Sequence, residues 1–360
     1  MNKLKLSALL LLLASLCRCS YAQEAKLMRV DVAGKSLLGL PIHWGSHDAA
    51  ILEPKGRIHI LNLQDVQSHE ILQTDFVPQS LIKARLELNA SLGAQYETII
   101  FGPYVLAAPR GQTARWRDRF NALLAGYVRY FQLRGWQLQS PDFPLCVIIY
   151  GSREEFLQHA ARENMRIPPN VVGSYFPESN QCVLYQIPDH QGTNWSETEA
   201  TIVHEAVHQL AYNTGLHERL FTNPLWCVEG LACMFEVPAV YDARLSGSTQ
   251  TDRMSNMRLN GLKRLLGSSL ELESLLTHLI ASDDFFRQQP ETAYSLAWAL
   301  TFYLSEKMPR EYAQLLAMQK KRGFGQYTSA ERQADFGEAI RIPPGMLAVQ
   351  LQRLFSRQSK

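Results

Sequence analysis

Apolar and polar positions in residues 24–75 form short runs separated by glycine and proline. The apolar runs fall at Leu27–Val32, Ile51–Leu52 and Arg57–Leu63. Runs of this length, bounded by turn-forming residues, predict strands rather than helices. We therefore expect a small β-rich module over residues 23–76 and a larger domain over residues 77–360.

Residues 78–195 alternate between strand-like and helix-like patterns. The predicted helices cover residues 78–93, 112–134 and 152–163, and the predicted strands cover 96–101, 104–108, 145–150, 171–176 and 181–186. The helix at 112–134 carries an aromatic stripe that we expect to lie in the core. Between residues 94 and 195 the order is therefore β-β-α-β-α-β-β, which predicts a mixed sheet lobe.

After Tyr212 the apolar positions repeat at helical spacing almost to the end of the chain. The predicted helices cover residues 224–236, 254–266, 269–281, 290–307, 309–321, 329–340 and 343–356. Residues 196–360 are thus expected to form a helical lobe that follows the sheet lobe. The predicted fold class is α+β.

The first 22 residues have the pattern of a secretory signal peptide. Lys3 and Lys5 precede an apolar run from Leu6 to Leu16, and small residues precede a cleavage point after Ala22. We expect export through the Sec pathway to the periplasm or the exterior. No later stretch is long and apolar enough to span a bilayer, so no integral membrane segment is expected after cleavage.

Cleavage changes the charge balance only slightly. The whole chain has a formal net charge of +2, and residues 1–22 contain three basic residues and no acid, so the remainder has a net charge of −1. A chain of nearly balanced charge is not expected to bind nucleic acid. The oligomeric state is left open by the sequence.

Four cysteines remain after the predicted cleavage: Cys146, Cys182, Cys227 and Cys233. Cys227 and Cys233 are six residues apart on one predicted helix, so their side chains diverge and do not bridge. A Cys146–Cys182 disulfide between neighbouring strands and four free thiols are both compatible with an exported protein.

The candidate chemistry lies in His204-Glu205-Ala206-Val207-His208. On a helix, His204 and His208 are one turn apart on the same face and can bind one Zn²⁺. Chance produces an H-E-x-x-H in roughly 2% of sequences of this length and composition, so companion features are needed. Ser196 and Glu199 form a capping-box pattern, and Gly215 occupies a C-terminal cap position.

Glu229, 21 residues after His208, is the expected third ligand. Asn223-Pro224 resembles an N-cap followed by a proline at the first helical position, which places Glu229 on a second helix. Hydrolytic zinc sites use three protein ligands and leave the fourth position for water. We predict one zinc per chain, with Glu205 as the general base.

The motif His204-Glu205-x-x-His208, followed by Trp226-x-x-Glu229-Gly230-Leu231-Ala232, resembles the peptidase-MA-like gluzincins. It is particularly similar to secreted bacterial proteins whose catalytic domain was long described as of unknown function. Softer similarities include residues 143–145, 173–176 and 208–215. The resemblance implies a zinc peptidase with a thermolysin-like zincin core. It also implies that the strand before the metal helix, here Gln181–Gln186, is the substrate edge.

In one respect the sequence departs from the family. Thermolysin-like gluzincins often carry an acid four residues after the glutamate ligand, where it orients a metal histidine; here that residue is Cys233. A thiol is a poor acceptor, so Asn213, Glu236 or a backbone carbonyl is expected to take this part.

The resemblance also suggests an oxyanion donor. Tyr294 in Ala293-Tyr294-Ser295-Leu296 lies on a helix similar to the family's tyrosine-bearing helix, although a core position beside Trp298 and Tyr303 explains it equally well. Tyr212 and His217 are weaker candidates, and His217 is expected to be exposed. Two arginines, Arg258 and Arg264, are expected on solvated helix faces rather than at a substrate carboxylate.

Together these features predict a secreted zinc metallopeptidase whose partner is a peptide or protein substrate. His204, His208 and Glu229 bind the metal, Glu205 transfers the proton, and Tyr294 stabilises the oxyanion. Two alternatives remain: a non-catalytic, zinc-stabilised envelope-binding protein, and a zinc amidase that acts on cell-wall peptide.

Overall fold

The computed structural model describes residues 25–163, 167, 171–186, 195–220, 222–242, 245 and 249–356, without the side chains of 195–199. The predicted signal peptide and the Ser196–Glu199 capping box lie outside this description. Contacts between Cα atoms group the chain into two compact units. The first contains the described residues of 25–113, 139–149 and 176–183, and the second contains those of 114–138, 150–175 and 184–356. The expected boundary at residues 76–77 stays a prediction.

The N-terminal residues form a five-stranded antiparallel sheet. Its strands are β1 (Lys26–Val32), β2 (Lys35–Trp44), β3 (Asp48–Leu52), β4 (Ile58–Asn62) and β5 (Val66–Asp75), in the order β4-β3-β2-β1-β5. Met28, Val30, Ile51 and Leu61 form its core. The sequence pattern indicated β1, β3 and β4 but missed β2 and β5. In β5 most side chains are exposed, so it lacks the apolar signal of a strand.

A second five-stranded sheet contains β6 (Tyr96–Phe101), β7 (Tyr104–Pro109), β8 (Leu145–Tyr150), β9 (Gly173–Phe176) and β10 (Gln181–Tyr185). Their order is β6-β7-β8-β10-β9. The β6–β7 hairpin is antiparallel and β7 runs parallel to β8. As the apolar run at Leu145–Tyr150 predicts, β8 is the central strand and is almost entirely buried.

The prediction of which strand forms the substrate edge is wrong. Gln181–Gln186 was predicted to offer a free edge, but β10 lies between β8 and β9. The hairpin reverses through residues 177–180, with Asn180 in the left-handed region at φ 58°. The returning strand therefore occupies the inner position, and β9 becomes the outer strand of the sheet.

Helices account for most of the remaining described residues. They are α1 (Leu81–Ser91), α2 (Thr113–Gln132), α3 (Arg153–Arg162), α4 (Trp195–Asn213), α5 (Leu225–Phe235), α6 (Pro238–Tyr241), α7 (Asn256–Lys263), α8 (Ser269–Ala281), α9 (Asp284–Gln288), α10 (Pro290–Lys307), α11 (Pro309–Lys320), α12 (Ser329–Ile340) and α13 (Pro344–Ser356). The protein is α+β, with a β-rich N-terminal part and a helical C-terminal part, as predicted. Only the short helices α6 and α9 were not expected.

The aromatic stripe of α2 is core, as expected. Trp116, Phe120 and Tyr127 are at most 2% exposed. The rings of Tyr127 and Tyr130 lie 5.2 and 5.3 Å from the ring of Phe235 at the end of α5. The stripe therefore packs against the helix that carries Glu229.

Helix α5 approaches α10 closely because residue 230 is a glycine. A Cβ atom at Gly230 would lie 2.5 Å from the carbonyl oxygen of Ala297 on α10. That separation is shorter than real Cβ contacts, so only glycine permits this packing. Helix α5, which carries Glu229, and the middle of α10 are held close together as a result.

The cysteines Cys146, Cys182, Cys227 and Cys233 are all free thiols. Of the two arrangements left open by the sequence, the structure therefore has the one without a disulfide. Within the described ranges, no helix combines the length and the apolar character needed to cross a membrane.

Candidate metal centre

Helix α4 presents His204 and His208 one turn apart, with ring centroids separated by 4.7 Å. The helix ends where the sequence predicts: Gly215 has φ 79°, and the Leu216 N–H donates to the Ala211 carbonyl oxygen. A glycine in the left-handed region lets the chain turn back and bond the last carbonyls. Both histidines consequently lie on a well-terminated helix in its last three turns.

Helix α5 brings Glu229 to the two imidazoles. Glu229 Oε2 lies 3.1 Å from His204 Nε2 and 3.7 Å from His208 Nε2. Nitrogen and oxygen ligands at about 2.0–2.2 Å from a tetrahedral zinc are themselves roughly 3.3–3.6 Å apart. Both distances from Glu229 Oε2 are close to that spacing, and the three ligand atoms all lie within 4.8 Å of one another, so the predicted ligand set can hold a zinc ion.

A second potential donor group, formed by His204, Cys233 and Glu236, overlaps the first. Arg258 Nη2 lies 2.8 Å from Glu236 Oε1, which places a permanent positive charge beside this group. A cation at that position would be repelled. The group of His204, His208 and Glu229 is therefore the more favourable of the two for a metal ion, and Glu236 lies where it can support His204.

Glu236 supplies the contact that the sequence left open at Cys233. Its Oε1 lies 3.0 Å from His204 Nδ1. Burial by itself would raise the pKa of Glu236, but its bonds to His204 and Arg258 outweigh burial and lower it. A carboxylate only accepts, so His204 Nδ1 must carry the proton and Nε2 faces the metal position. Asn213 instead donates to the Gln209 carbonyl oxygen.

The carboxylate of Glu205 lies at the edge of the second sheet. The backbone N–H of Tyr175 on β9 donates to Glu205 Oε2 over 2.9 Å. Burial raises the pKa of Glu205 to about 7, and the negative charge of Glu229 adds to this while His204 opposes it. A carboxyl group with a pKa near neutrality can both take and return a proton.

The pKa values of the two histidines are shifted in opposite directions. Burial lowers the pKa of His208 to about 4. Burial also acts to lower the pKa of His204, but hydrogen bonds with Cys233, Glu229 and Glu236 raise it well above its usual value. For Glu229, the positive charges and the hydrogen bonds of its neighbours outweigh burial and lower the pKa to about 2. In the metal-free centre His204 therefore carries a second proton and a positive charge, beside the ionised Glu229.

Tyr294, in the first turns of α10, reaches the same centre. It forms a side-chain hydrogen bond with Glu229, and burial raises the pKa of its phenol. The guanidinium of Arg258 lies 5.3 Å from the centroid of the Tyr294 ring. Tyr294 is thus at the candidate site and not only in the core, and Arg258 is bound to Glu236 rather than solvated. Arg264 is exposed, as expected.

The expectation that His217 is exposed is wrong. Its side chain is 1% exposed, and its ring centroid lies 5.4 Å from that of Tyr212. Burial lowers the pKa of His217 to about 3. The loop after α4 folds back on the helix because the His217 N–H donates to the Ala211 carbonyl oxygen. Tyr212 in turn stacks near Tyr175, with 5.5 Å between centroids.

Helix α5 is capped from a distant part of the chain. Asn223 was expected to be its N-cap, but the helix begins at Leu225 and Asn223 bonds the backbone of Glu218. The Leu225 N–H donates instead to Asp283 Oδ1 over 2.9 Å, and Asp283 also pairs with Arg332. Sequence patterns near Glu229 carry no sign of this contact, because Asp283 is remote in the chain.

The family comparison covers part of this region. Residues 198–323 match a family described as a protein of unknown function (DUF1570). This segment includes both histidines, Glu205, Glu229 and Tyr294, and it ends before α12. No curated protein matches the chain.

Proposed function

We propose that this protein is a zinc metallopeptidase of the gluzincin type, with a thermolysin-like core, that acts in the periplasm or outside the cell. The observation that carries the proposal is the convergence of His204, His208 and Glu229, whose ligand atoms lie within 4.8 Å of one another, with Glu229 Oε2 at 3.1 and 3.7 Å from the two Nε2 atoms. A separate carboxylate, Glu205, lies beside this triad without being one of its members. A purely structural site has no need for that fourth group.

Zinc would supply a Lewis acid that polarises the attacked carbonyl and makes a water molecule acidic. Glu205 then accepts a proton from the attacking water. Its raised pKa allows it to return the same proton to the departing amine nitrogen. The Tyr175 N–H orients one carboxylate oxygen of Glu205, so the other oxygen is available for the water.

The substrate backbone is proposed to lie along β9. In an antiparallel pair, alternate residues direct their backbone groups away from the partner strand. Tyr175 directs its N–H away from β10 and towards Glu205. An extended peptide added to this outer edge would pass directly beside the general base. The strand predicted for this purpose is therefore replaced by its neighbour in the hairpin.

Tyr294 is proposed to donate its hydroxyl proton to the oxyanion that forms on the attacked carbonyl. Its phenol is kept protonated by burial and by the charge of Glu229. In the metal-free protein the hydroxyl is engaged by Glu229. Metal binding would engage the carboxylate and make the phenol available for the substrate.

The test compares the wild type with Glu205→Gln and with Glu338→Gln, an exposed residue on α12 that serves as the matched control. Zinc per chain is measured by elemental analysis, and cleavage is measured on unfolded protein substrates and on cell-wall peptide amides. We expect about one zinc per chain in all three proteins and loss of cleavage only in Glu205→Gln. Cleavage that survives in Glu205→Gln would refute the mechanism. Cleavage confined to cell-wall amides would identify an amidase.

A further inference from the structure

A second polar cavity lies away from the metal centre, between α2, α6 and the junction of α10 with α11. Its volume is about 540 Å³, within the range of small-molecule sites. Among the described residues that line it are four arginines and two acids: Arg129, Arg134, Arg253, Arg310, Asp242 and Glu306. These described lining residues therefore carry a net charge of +2.

The floor of the cavity is a preformed cluster of charges. Glu306 accepts hydrogen bonds from Arg134, from Arg253 at 2.7 and 3.1 Å, and from the hydroxyl of Tyr130 at 3.0 Å. The side chains of Glu306, Arg134 and Arg253 are 6%, 14% and 19% exposed. One carboxylate thus binds two guanidinium groups, and the negative charge of Asp252 also acts on Arg253.

The donors of Arg134 are held in a fixed orientation. Its guanidinium lies 3.5 Å from the centroid of the Tyr130 ring and donates to the carbonyl oxygens of Ser305 and Tyr130. Together with the bond to Glu306, this uses three of the five N–H groups. One N–H on each terminal nitrogen is left for another acceptor.

The rim of the cavity adds positive charge that the protein does not neutralise. Arg129 and Arg310 are exposed, and neither has a side-chain hydrogen bond or ion pair within the part of the chain described here. Helix α11 also begins at the rim without a side-chain cap. Among the described residues no side chain caps the backbone N–H groups of this first turn, where an anion is stabilised, although the carboxylate of Glu311 lies in the same turn.

We propose that this cavity binds a doubly charged oxyanion such as a phosphate group. Two opposite charges match the net charge of the lining, and the guanidinium forks and helix amides are donors suited to tetrahedral or planar oxygen groups. The site is separate from the metal centre. Tyr294 and Glu306 are 12 residues apart on α10, or about 18 Å at the helical rise. The proposal therefore does not depend on the peptidase assignment.

The test is titration calorimetry of inorganic phosphate into the full-length protein, with the metal first removed by an uncharged chelator and dialysis. Removing the metal prevents phosphate from binding at the zinc position. Sulfate and succinate are titrated in parallel at matched ionic strength, with chloride as the reference. Binding of phosphate and sulfate identifies a tetrahedral oxyanion site, and binding of succinate alone identifies a dicarboxylate site.

The decisive variants are Arg129→Gln, Arg310→Gln and the double variant, with exposed Arg353→Gln on α13 as the control. We expect at least tenfold weaker binding in each single variant, no detectable binding in the double variant, and a change below twofold in the control. Without added anion, the rim variants should melt no earlier than the wild type, because they relieve repulsion between guanidiniums. The proposal is overturned if no dianion binds more tightly than chloride, or if the double variant binds like the wild type.

Discussion

Replacing Glu236 by glutamine isolates the contact that orients His204. The glutamine side chain can still occupy the space, but it lacks the charge that fixes the His204 Nδ1 proton and that pairs with Arg258. Removing such a supporting partner typically weakens metal binding by about 10- to 100-fold, which corresponds to about 1.4–2.7 kcal/mol. The loss of one charge-assisted hydrogen bond, worth about 1.5–3 kcal/mol, gives the same magnitude.

The assay is competition for zinc with a chromophoric chelator, supported by thermal melting of the metal-free proteins to verify folding. Placing an acid at position 233, where thermolysin-like gluzincins often carry one, provides a rescue. The double variant Glu236→Gln/Cys233→Asp should recover at least part of the lost affinity, because Cys233 is also in hydrogen-bond contact with His204. Zinc affinity within twofold of the wild type in Glu236→Gln would show that Glu236 does not support the metal.

Three further substitutions test the surroundings of the centre. Tyr294→Phe should lower kcat/KM by about 10- to 100-fold, as expected for an oxyanion donor, with zinc affinity nearly unchanged. Gly230→Ala should destabilise the protein by about 2 kcal/mol in urea denaturation, because the new Cβ would meet the Ala297 carbonyl oxygen. The control is Gly337→Ala, whose Cβ would have no neighbour within 4 Å and which should stabilise the protein by about 0.5–1 kcal/mol. Asp283→Asn should cost about 3 kcal/mol in the same assay, because the neutral amide cannot pair with the buried guanidinium of Arg332, although its oxygen can still accept from the Leu225 N–H. A smaller loss than from the neighbouring, half-buried Asp284→Asn would contradict this.

The parts of the centre that could be predicted from sequence are those encoded over a few residues. The spacing of His204 and His208 encodes their common face, and Gly215 encodes the end of α4. Glu229 could be assigned because its helix has a clear apolar pattern and follows closely. The helix bounds were predictable for the same reason: caps and helical periodicity are local signals.

The contacts that were not predictable join distant segments. Tyr175 bonds Glu205 through a backbone N–H, which no residue type reveals, and Asp283 caps α5 from 58 residues away. The order of β9 and β10 in the sheet depends on which strand of the hairpin meets β8. Here a local signal existed, because β10 has three consecutive buried residues, as an inner strand does, whereas buried and less buried residues alternate in β9. Burial of His217 follows from the folding back of its loop, whereas its own sequence surroundings indicate a surface turn.

The proton on His204 leads to a last prediction, about the pH dependence of zinc binding. Glu229 and His208 have pKa values of about 2 and 4 in the metal-free protein. At neutral pH Glu229 is therefore ionised and His208 is a neutral imidazole. His204, whose pKa is raised, still carries a proton on each nitrogen, and zinc must displace the one on Nε2. Zinc affinity should therefore rise about tenfold per pH unit between about pH 5 and the raised pKa of His204.

This dependence is best measured in the Glu205→Gln variant, because zinc would also displace the proton that Glu205 holds near neutrality. In that variant only the ligands titrate, and calorimetry in buffers of different ionisation enthalpy should detect about one proton released per zinc. Adding Glu236→Gln removes one of the bonds that raise the pKa of His204, so the pH dependence should flatten at a lower pH than in Glu205→Gln alone. If the zinc affinity of Glu205→Gln does not change between pH 5.5 and pH 6.5, His204 is already neutral in that range. Glu229 and Glu236 would then not hold a second proton on His204.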